Sequence, residues 1–88
     1  PFVVPVNCNL KRITGYANPT SSATSWIVDI YKNGVSAATL SVNGPAHKAI
    51  STALAVAFSS GDEVRIRVTT IVGGNIDTPS VDIYFVES

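Results

Sequence analysis

The sequence is poor in the residues that stabilise very small domains through covalent or metal cross-links. Its 88 residues include one cysteine, Cys8, and one histidine, His47. A single cysteine excludes a disulfide within the chain, and a structural zinc site needs more thiol and imidazole ligands than these two residues offer. Because a chain of this length buries only about 60 to 65% of its unfolded surface, we expect one marginally stable domain that gains stability by self-association.

Charge is also scarce. Charged residues make up 14% of the chain and hydrophobic residues 45%, and the six basic and six acidic residues cancel to a formal net charge of zero. Such a chain has no long-range field that would attract nucleic acid or an anionic membrane surface. No apolar run approaches the roughly 20 residues that span a bilayer. We therefore expect no nucleic-acid partner and no membrane insertion, and we expect part of the apolar excess to lie in an interface between copies.

The strongest positive signal is a β-hairpin centred on Asn33-Gly34. Runs rich in β-branched and aromatic residues flank this dipeptide, which supplies the two positive φ values of a type I′ turn. In the first arm, Trp26, Val28 and Ile30 alternate with residues that include a charge. This pattern predicts a half-buried antiparallel strand, which needs an opposing sheet to cover its apolar face.

The rest of the chain supplies the opposing strands. Pro5 places the first run at a sheet edge or where the chain crosses between sheets. The odd spacing of Leu10 and Ile13 is reconciled by a bulge. The run 50–58 is rich in alanine, which favours helix, but its apolar period of two favours a strand. The pattern predicts about seven short strands and no domain linker, hence one all-β domain, an antiparallel β-sandwich spanning residues 1–88. Besides the two hairpin arms, the predicted strands are 2–6, 9–16, 50–58, 63–71 and 81–85.

Alternation along these strands also predicts the side chains between the two sheets. Burial of each such side chain contributes about 1.5 to 3 kcal/mol before entropy is subtracted. The predicted inner faces include Leu10, Trp26, Val28, Ile30, Leu40, Leu54, Val56, Val64, Ile66, Val68, Val81, Ile83 and Phe85.

No group of residues forms a recognisable catalytic or metal motif. Cys8 and His47 lack the flanking sequence of known cysteine nucleophiles, and a buried thiol and a loop histidine explain both residues. Two pairs of acidic residues, 62–63 and 77 with 82, have the chemistry of calcium ligands or glycosidase carboxylates. A turn that favours aspartate at position 62 and an outward-facing Asp82 explain them more simply. We expect no enzyme, no metal and no cofactor.

Parity along the chain predicts a candidate binding surface. If consecutive strands are antiparallel, the long loops 17–23, 43–48 and 73–79 share one end of the sandwich, and the tight turns at 33–34 and 60–61 share the other end with the C-terminus. The long loops carry short polar side chains that can pair with sugar hydroxyls, although loops are also polar simply because they are solvated. The candidate ligand-binding residues are Asn18, Ser21, Ser22, Asn43, His47, Asn75, Asp77 and Thr78.

Aromatic and basic residues offer two further interpretations. Tyr16 and Tyr84 are candidates for stacking against sugar rings, whereas Trp26 shares its face with aliphatic residues and is interpreted as core. The basic residues Lys11, Arg12, Arg65 and Arg67 do not interleave with aromatic residues, which disfavours a nucleic-acid surface.

One resemblance spans nearly the whole chain. A proline-containing entry strand is followed by an arm ending in Ile-Tyr-Lys-Asn-Gly, a Ser-Gly-Asp-Glu-Val turn into a Val-Arg-Ile-Arg-Val strand, and a Gly-Gly loop before the last strand. In this succession the chain resembles the small jelly-roll or sandwich modules of phage tail fibres and receptor-binding proteins. The resemblance implies a jelly-roll-like homotrimer at the end of a fibre or baseplate appendage, on the virion surface, that contacts a host cell-surface glycan. Such modules have no fixed binding motif, so the resemblance implies no site residue.

Together these observations favour a receptor-binding or glycan-binding module over an enzyme. The alternative is a structural spacer or virion-assembly module that binds no ligand. Because the chain opens on Pro1 rather than on methionine, we expect a processed protein or a module of a longer chain.

Overall fold

The computed structural model describes residues 1–52 and 54–88. In this part of the chain eight strands and no helix are present, and all strand pairs are antiparallel. Two sheets pack face to face, which confirms the predicted all-β sandwich. The strands are β1 (Phe2–Val3), β2 (Cys8–Tyr16), β3 (Ser25–Lys32), β4 (Val35–Asn43), β5 (Lys48–Ser51), β6 (Val56–Phe58), β7 (Glu63–Val72) and β8 (Ser80–Glu87).

The first sheet has the strand order β1-β7-β3-β4 and contains the predicted hairpin as β3 and β4. Asn33 and Gly34 have φ values of 50° and 83°, as a type I′ turn requires. Trp26, Val28 and Ile30 are fully buried. The short strand β1 pairs only with Glu63 and Val64 at the edge of the sheet, and it ends before Pro5, which cannot donate to a ladder.

The second sheet is built on β2. Strand β8 pairs with β2 along its length, from Cys8 to Tyr16. The shorter strands β5 and β6 pair with the two halves of β2, and they must share its other edge because β8 occupies the first. A register shift between Leu10 and Arg12 is the bulge that the spacing of Leu10 and Ile13 predicts.

The prediction of one continuous strand over residues 50–58 is wrong, as is the prediction of a loop through Lys48. Strand β5 begins at Lys48 and ends at Ser51, and β6 resumes at Val56. Residues 52, 54 and 55 lie outside strands, and Ala53 lies outside the described residues. Alanine has low β propensity and little surface to pack on a pleated sheet, which accounts for a break in this segment. The division of this strand gives eight strands instead of about seven.

The core agrees with the predicted inner faces, because every predicted residue is either buried or packed against the buried cluster. The alternation also extends to β4, where Val42 is fully buried beside Leu40. Phe58 and the thiol of Cys8 are buried as well. The core thus fills the space between the two sheets, and the side chains that form it are largely those that alternation predicts.

The two tight turns lie together at one end of the sandwich, as parity predicts. The backbone N–H of Asn33 donates to the carbonyl of Glu63 (3.0 Å), which joins the hairpin turn to the start of β7. The N–H of Ser88 donates to the carbonyl of Asn7 (3.1 Å), and the side chain of Asn7 accepts from Ser60 N (2.9 Å). The C-terminal residue therefore lies at the tight-turn end.

Candidate functional site: a loop platform

The three long loops meet at the opposite end and form one surface, which we call the loop platform (residues 17–24, 44–47 and 73–79). The first loop lies between the other two and donates backbone hydrogen bonds to both. These bonds run from Ala17 N to His47 O (2.8 Å), from Asn18 N to Asp77 O (2.9 Å) and from Ala23 N to Asn75 O (3.0 Å). The predicted clustering of the long loops is therefore present in the structure.

Several predicted ligand residues bond to other parts of the platform. The hydroxyl of Ser21 accepts from the N–H of Asp77 (2.8 Å), and that of Ser22 accepts from the N–H of Asn75 (3.1 Å). The side-chain oxygen of Asn18 accepts from both the N–H and the hydroxyl of Thr20, each at 3.0 Å. These side chains fix the shape of the platform, and the acceptors of Ser21, Ser22 and Asn18 already have protein donors.

His47 supports the platform from below. Its side chain is 1% exposed, so it does not reach a ligand on the surface, contrary to its inclusion among the candidate contacts. The Nε2 atom lies 3.2 Å from the carbonyl oxygen of Ser21, and the tautomer protonated at Nε2 donates to that oxygen. Nδ1 has no hydrogen-bond partner among the described residues. His47 therefore links the second loop to the first through a buried contact.

Two glycines allow the third loop to approach the first. Gly73 and Gly74 have φ values of 80° and 154°. A Cβ atom on Gly74 would lie 2.8 Å from the carbonyl carbon of Ser22 and 2.9 Å from its oxygen, closer than real Cβ contacts. The Gly-Gly pair thus permits both the backbone conformation and the close contact on which the platform depends.

Five of the predicted residues are exposed. Ser22, Asn75, Asp77 and Thr78 lie on the platform, and Asn43, the last residue of β4, borders it. The backbone of Asn75 and Asp77 is held by the serine contacts described above, so their side chains project from a fixed loop. Thr78 has a φ of 47°, an unusual conformation for a β-branched residue and one that marks local strain.

Tyr16 belongs to this surface, although the candidate set drawn from the loops leaves it out. It is the last residue of β2, immediately before the first loop, and its side chain is 42% exposed. Its strand partners are Lys48 and Ser80, the first residues after the second and third loops. The signal in the sequence is its position at the end of a strand, beside Ala17. Tyr84, the other stacking candidate, lies under the guanidinium of Arg12, 4.7 Å from its ring centre.

Across residues 1–52 and 54–88 the surface has no enclosed pocket and no cluster of metal-ligating side chains. No helix that could cross a membrane is present among the described residues.

Comparisons with known proteins identify no relative. No protein-family model matches the chain, and neither the curated proteins nor the solved structures gave a match.

Proposed function

We propose that this chain is a receptor-binding module of a phage fibre or baseplate appendage, and that its loop platform contacts a glycan on the host surface. The observation that carries the proposal is the joining of three long loops by backbone hydrogen bonds at one end of a rigid sandwich. Rigid scaffolds that position loops in this way are the usual basis of recognition surfaces in β-sandwiches.

The exposed side chains have the chemistry that sugars require. The amides of Asn43 and Asn75 donate and accept hydrogen bonds, and the carboxylate of Asp77 accepts from sugar hydroxyls. The ring of Tyr16 offers an exposed apolar face with a polar tip beside them. Because the backbone of residues 75 and 77 is already fixed, less conformational entropy is lost when these groups bind.

The arrangement of the two ends suits a role at the tip of an appendage. The last residue lies at the tight-turn end, so a module held there presents the platform outward. We further propose a homotrimer on the virion surface, as the resemblance to fibre modules implies. Several platforms on one assembly would raise the apparent affinity for a repetitive glycan surface without any new contact.

A structural spacer or virion-assembly module is the second candidate, and one observation favours it. Asn18, Ser21 and Ser22 bond within the platform and His47 is buried, so much of the polar character of these loops has a structural role. Loops that serve only to connect strands also need such bonds.

A glycan array with the intact oligomer distinguishes the two candidates. If the platform binds glycans, the wild-type protein should bind a subset of the host cell-wall sugars on the array. Asn43→Ala, Asp77→Ala and Tyr16→Ala should each weaken that binding about tenfold or more, a loss of roughly 1.4 kcal/mol.

Tyr31→Ala serves as the control, because Tyr31 lies in β3 one residue before the end of the strand, near the tight turns. It should leave glycan binding unchanged, with circular dichroism confirming that each variant is folded. Uniform absence of binding across host sugars, or equal binding by all variants, would support the spacer and reject the proposed site.

A further inference from the structure

The sandwich has two flanks, along which the edge strands of its two sheets lie side by side, and they differ in how well they are closed. On one flank β4 packs against β5, and Leu40 and Val42 at this side are buried. On the other flank lie β7 and β8. Phe2 of β1, which borders β7, packs edge-on against Phe85 of β8 at 6.3 Å between ring centres, which shows that β7 and β8 share this side.

The β7/β8 flank is incompletely covered. Of the ten residues of β7 and the eight of β8, only Val64 is buried. Val64 is also the position at which β1 pairs with β7. The next inward residues, Ile66 and Val68, have no strand beside them on that edge among the described residues, and they are only half-buried. A neighbouring strand is therefore what this flank lacks.

Strand β8 has the same deficit. It pairs with β2 on one edge, and no described strand lies on the other. Its inward residues Val81, Ile83 and Phe85 are all half-buried, although they pack against the core cluster. A long, unpaired edge of this kind is a template for pairing with another chain.

We propose that a second copy of this chain closes the flank, with β7 of one copy pairing antiparallel with β8 of the next. Within one copy β7 runs towards the loop platform and β8 runs away from it. Rotation about an axis parallel to the strands therefore brings β8 of a neighbour beside β7 in the antiparallel direction, with outward faces on the same side. Repetition of this contact closes a ring, and rings of two and of three copies both use it.

Side-chain complementarity selects the register. Residues directly opposite each other on antiparallel strands lie on the same face of the sheet. When Arg67 lies opposite Asp82 of the neighbouring copy, Ile66 meets its Ile83 and Val68 meets its Val81. Arg65 then lies opposite Tyr84 of the neighbour, a pair suited to cation–π contact.

The charges at these positions are not neutralised by salt bridges within the chain. The salt bridges among the described residues are Lys32–Asp62 and Arg65–Glu63, so neither Arg67 nor Asp82 takes part in one. Arg67 lies opposite Asp29 in its own sheet, but the two form no salt bridge. Asp82 lies opposite Thr14 in its own sheet and has no arginine directly across that ladder. The second copy would supply that arginine.

A cysteine pair tests the proposed contact in the intact chain. In a Cys8→Ala background, Arg67→Cys with Asp82→Cys should give disulfide-linked oligomers on mild oxidation, because opposite Cβ atoms on paired strands lie about 4.5 to 5.5 Å apart. Within one copy the two positions face outward from sheets packed about 10 Å apart, which prevents an internal disulfide. The matched control, Ser41→Cys with Asp82→Cys, moves one cysteine to β4 on the closed flank and should give no cross-link.

Charge reversal provides the second arm, measured by analytical ultracentrifugation without any ligand. Asp82→Arg should weaken association about tenfold, because it opposes two cations at each contact. Adding Arg67→Asp should restore part of the lost association, since the new carboxylate also faces Asp29 within its own sheet, whereas Ser41→Arg should leave association unchanged. A wild-type monomer at high micromolar concentration, cross-linking of the control pair, or an oligomer indifferent to Asp82→Arg would each overturn the proposal. A failure of glycan binding would not affect these measurements.

Discussion

At the scale of single residues, Asp62 shows how one side chain joins two turns. Its carboxylate accepts from Ser59 N (2.8 Å) and from the side-chain amide of Asn33 (3.0 Å). Lys32 lies 3.8 Å away, and the Asn33 side chain also accepts from Glu63 N (2.9 Å). The preference of tight turns for aspartate accounts for this residue from the sequence alone. Its contact with the distant hairpin turn depends on the fold.

These contacts make the stability of the protein depend on pH. The hydrogen bond from Ser59 and then that from Asn33 hold the pKa of Asp62 below its ordinary value of 3.8; burial opposes this effect, and the charge of Lys32 adds to it. The unfolded chain therefore binds the proton more readily than the folded chain. Stability from this group is present above the ordinary pKa and is lost as pH falls through the folded value.

We predict that Asp62→Asn lowers the urea midpoint at neutral pH and that its deficit relative to wild type disappears in acid, as pH falls below 3.8 and through the lowered pKa of the folded state. Asp77→Asn is the control, because no hydrogen bond or salt bridge to its carboxylate is found among the described residues. An Asp62→Asn deficit that persists unchanged into acid would mean that the carboxylate charge does not contribute.

At the scale of elements, the strands that alternation predicts well are those whose partners lie nearby or whose faces are clearly divided. The Asn33-Gly34 hairpin is specified locally, and β7 alternates cleanly from Val64 to Val68. The segment 50–58 is different, because its alanines fit both faces and leave the break between β5 and β6 unspecified. The sequence does not predict the burial of His47 either, since that burial depends on the position of Ser21 in another loop.

The sequence predicts where the loop platform lies better than it predicts which side chains the platform exposes. Parity places the three loops at one end without any knowledge of side-chain contacts. Which polar groups face outward depends on bonds such as Ser22 Oγ to Asn75 N, which join residues far apart in the chain. Sequence alone therefore identifies the exposed Asn43 and Asp77 together with the buried His47, and cannot separate them.

The glycines of the turns offer a prediction at this scale. Gly61 and Gly74 both have positive φ values, 94° and 154°, but a Cβ on Gly61 would meet nothing within 4 Å. Gly61→Ala should cost about 1 to 2 kcal/mol, from the backbone conformation alone. Gly74→Ala should cost more, because the added methyl also meets the Ser22 backbone. Denaturant unfolding checks the order, and equal losses would show that the third loop moves away from the first without penalty.

At the scale of the whole molecule, stability and association are expected to be one property. A chain of 88 residues with a single cysteine has no disulfide to stabilise it, and one of its flanks leaves half-buried apolar side chains beside unpaired strand edges. If β7 and β8 of neighbouring copies pair, folding completes the core only in the assembly. The platform and the flank then have separate roles, since the loops lie at one end and the flank runs along the strands.

This coupling predicts a melting temperature that depends on protein concentration. Binding between folded copies stabilises the folded state by mass action, so a hundredfold increase in concentration should raise Tm by several degrees, given that about 1 kcal/mol shifts Tm by roughly 4 to 8 °C in a domain of this size. Asp82→Arg should melt like the wild type at the lowest concentration, where both are monomeric, and should fall behind it as concentration rises. Differential scanning calorimetry over a concentration series measures both. A wild-type Tm that is independent of concentration would mean that the monomer is stable without a second copy on its β7/β8 flank.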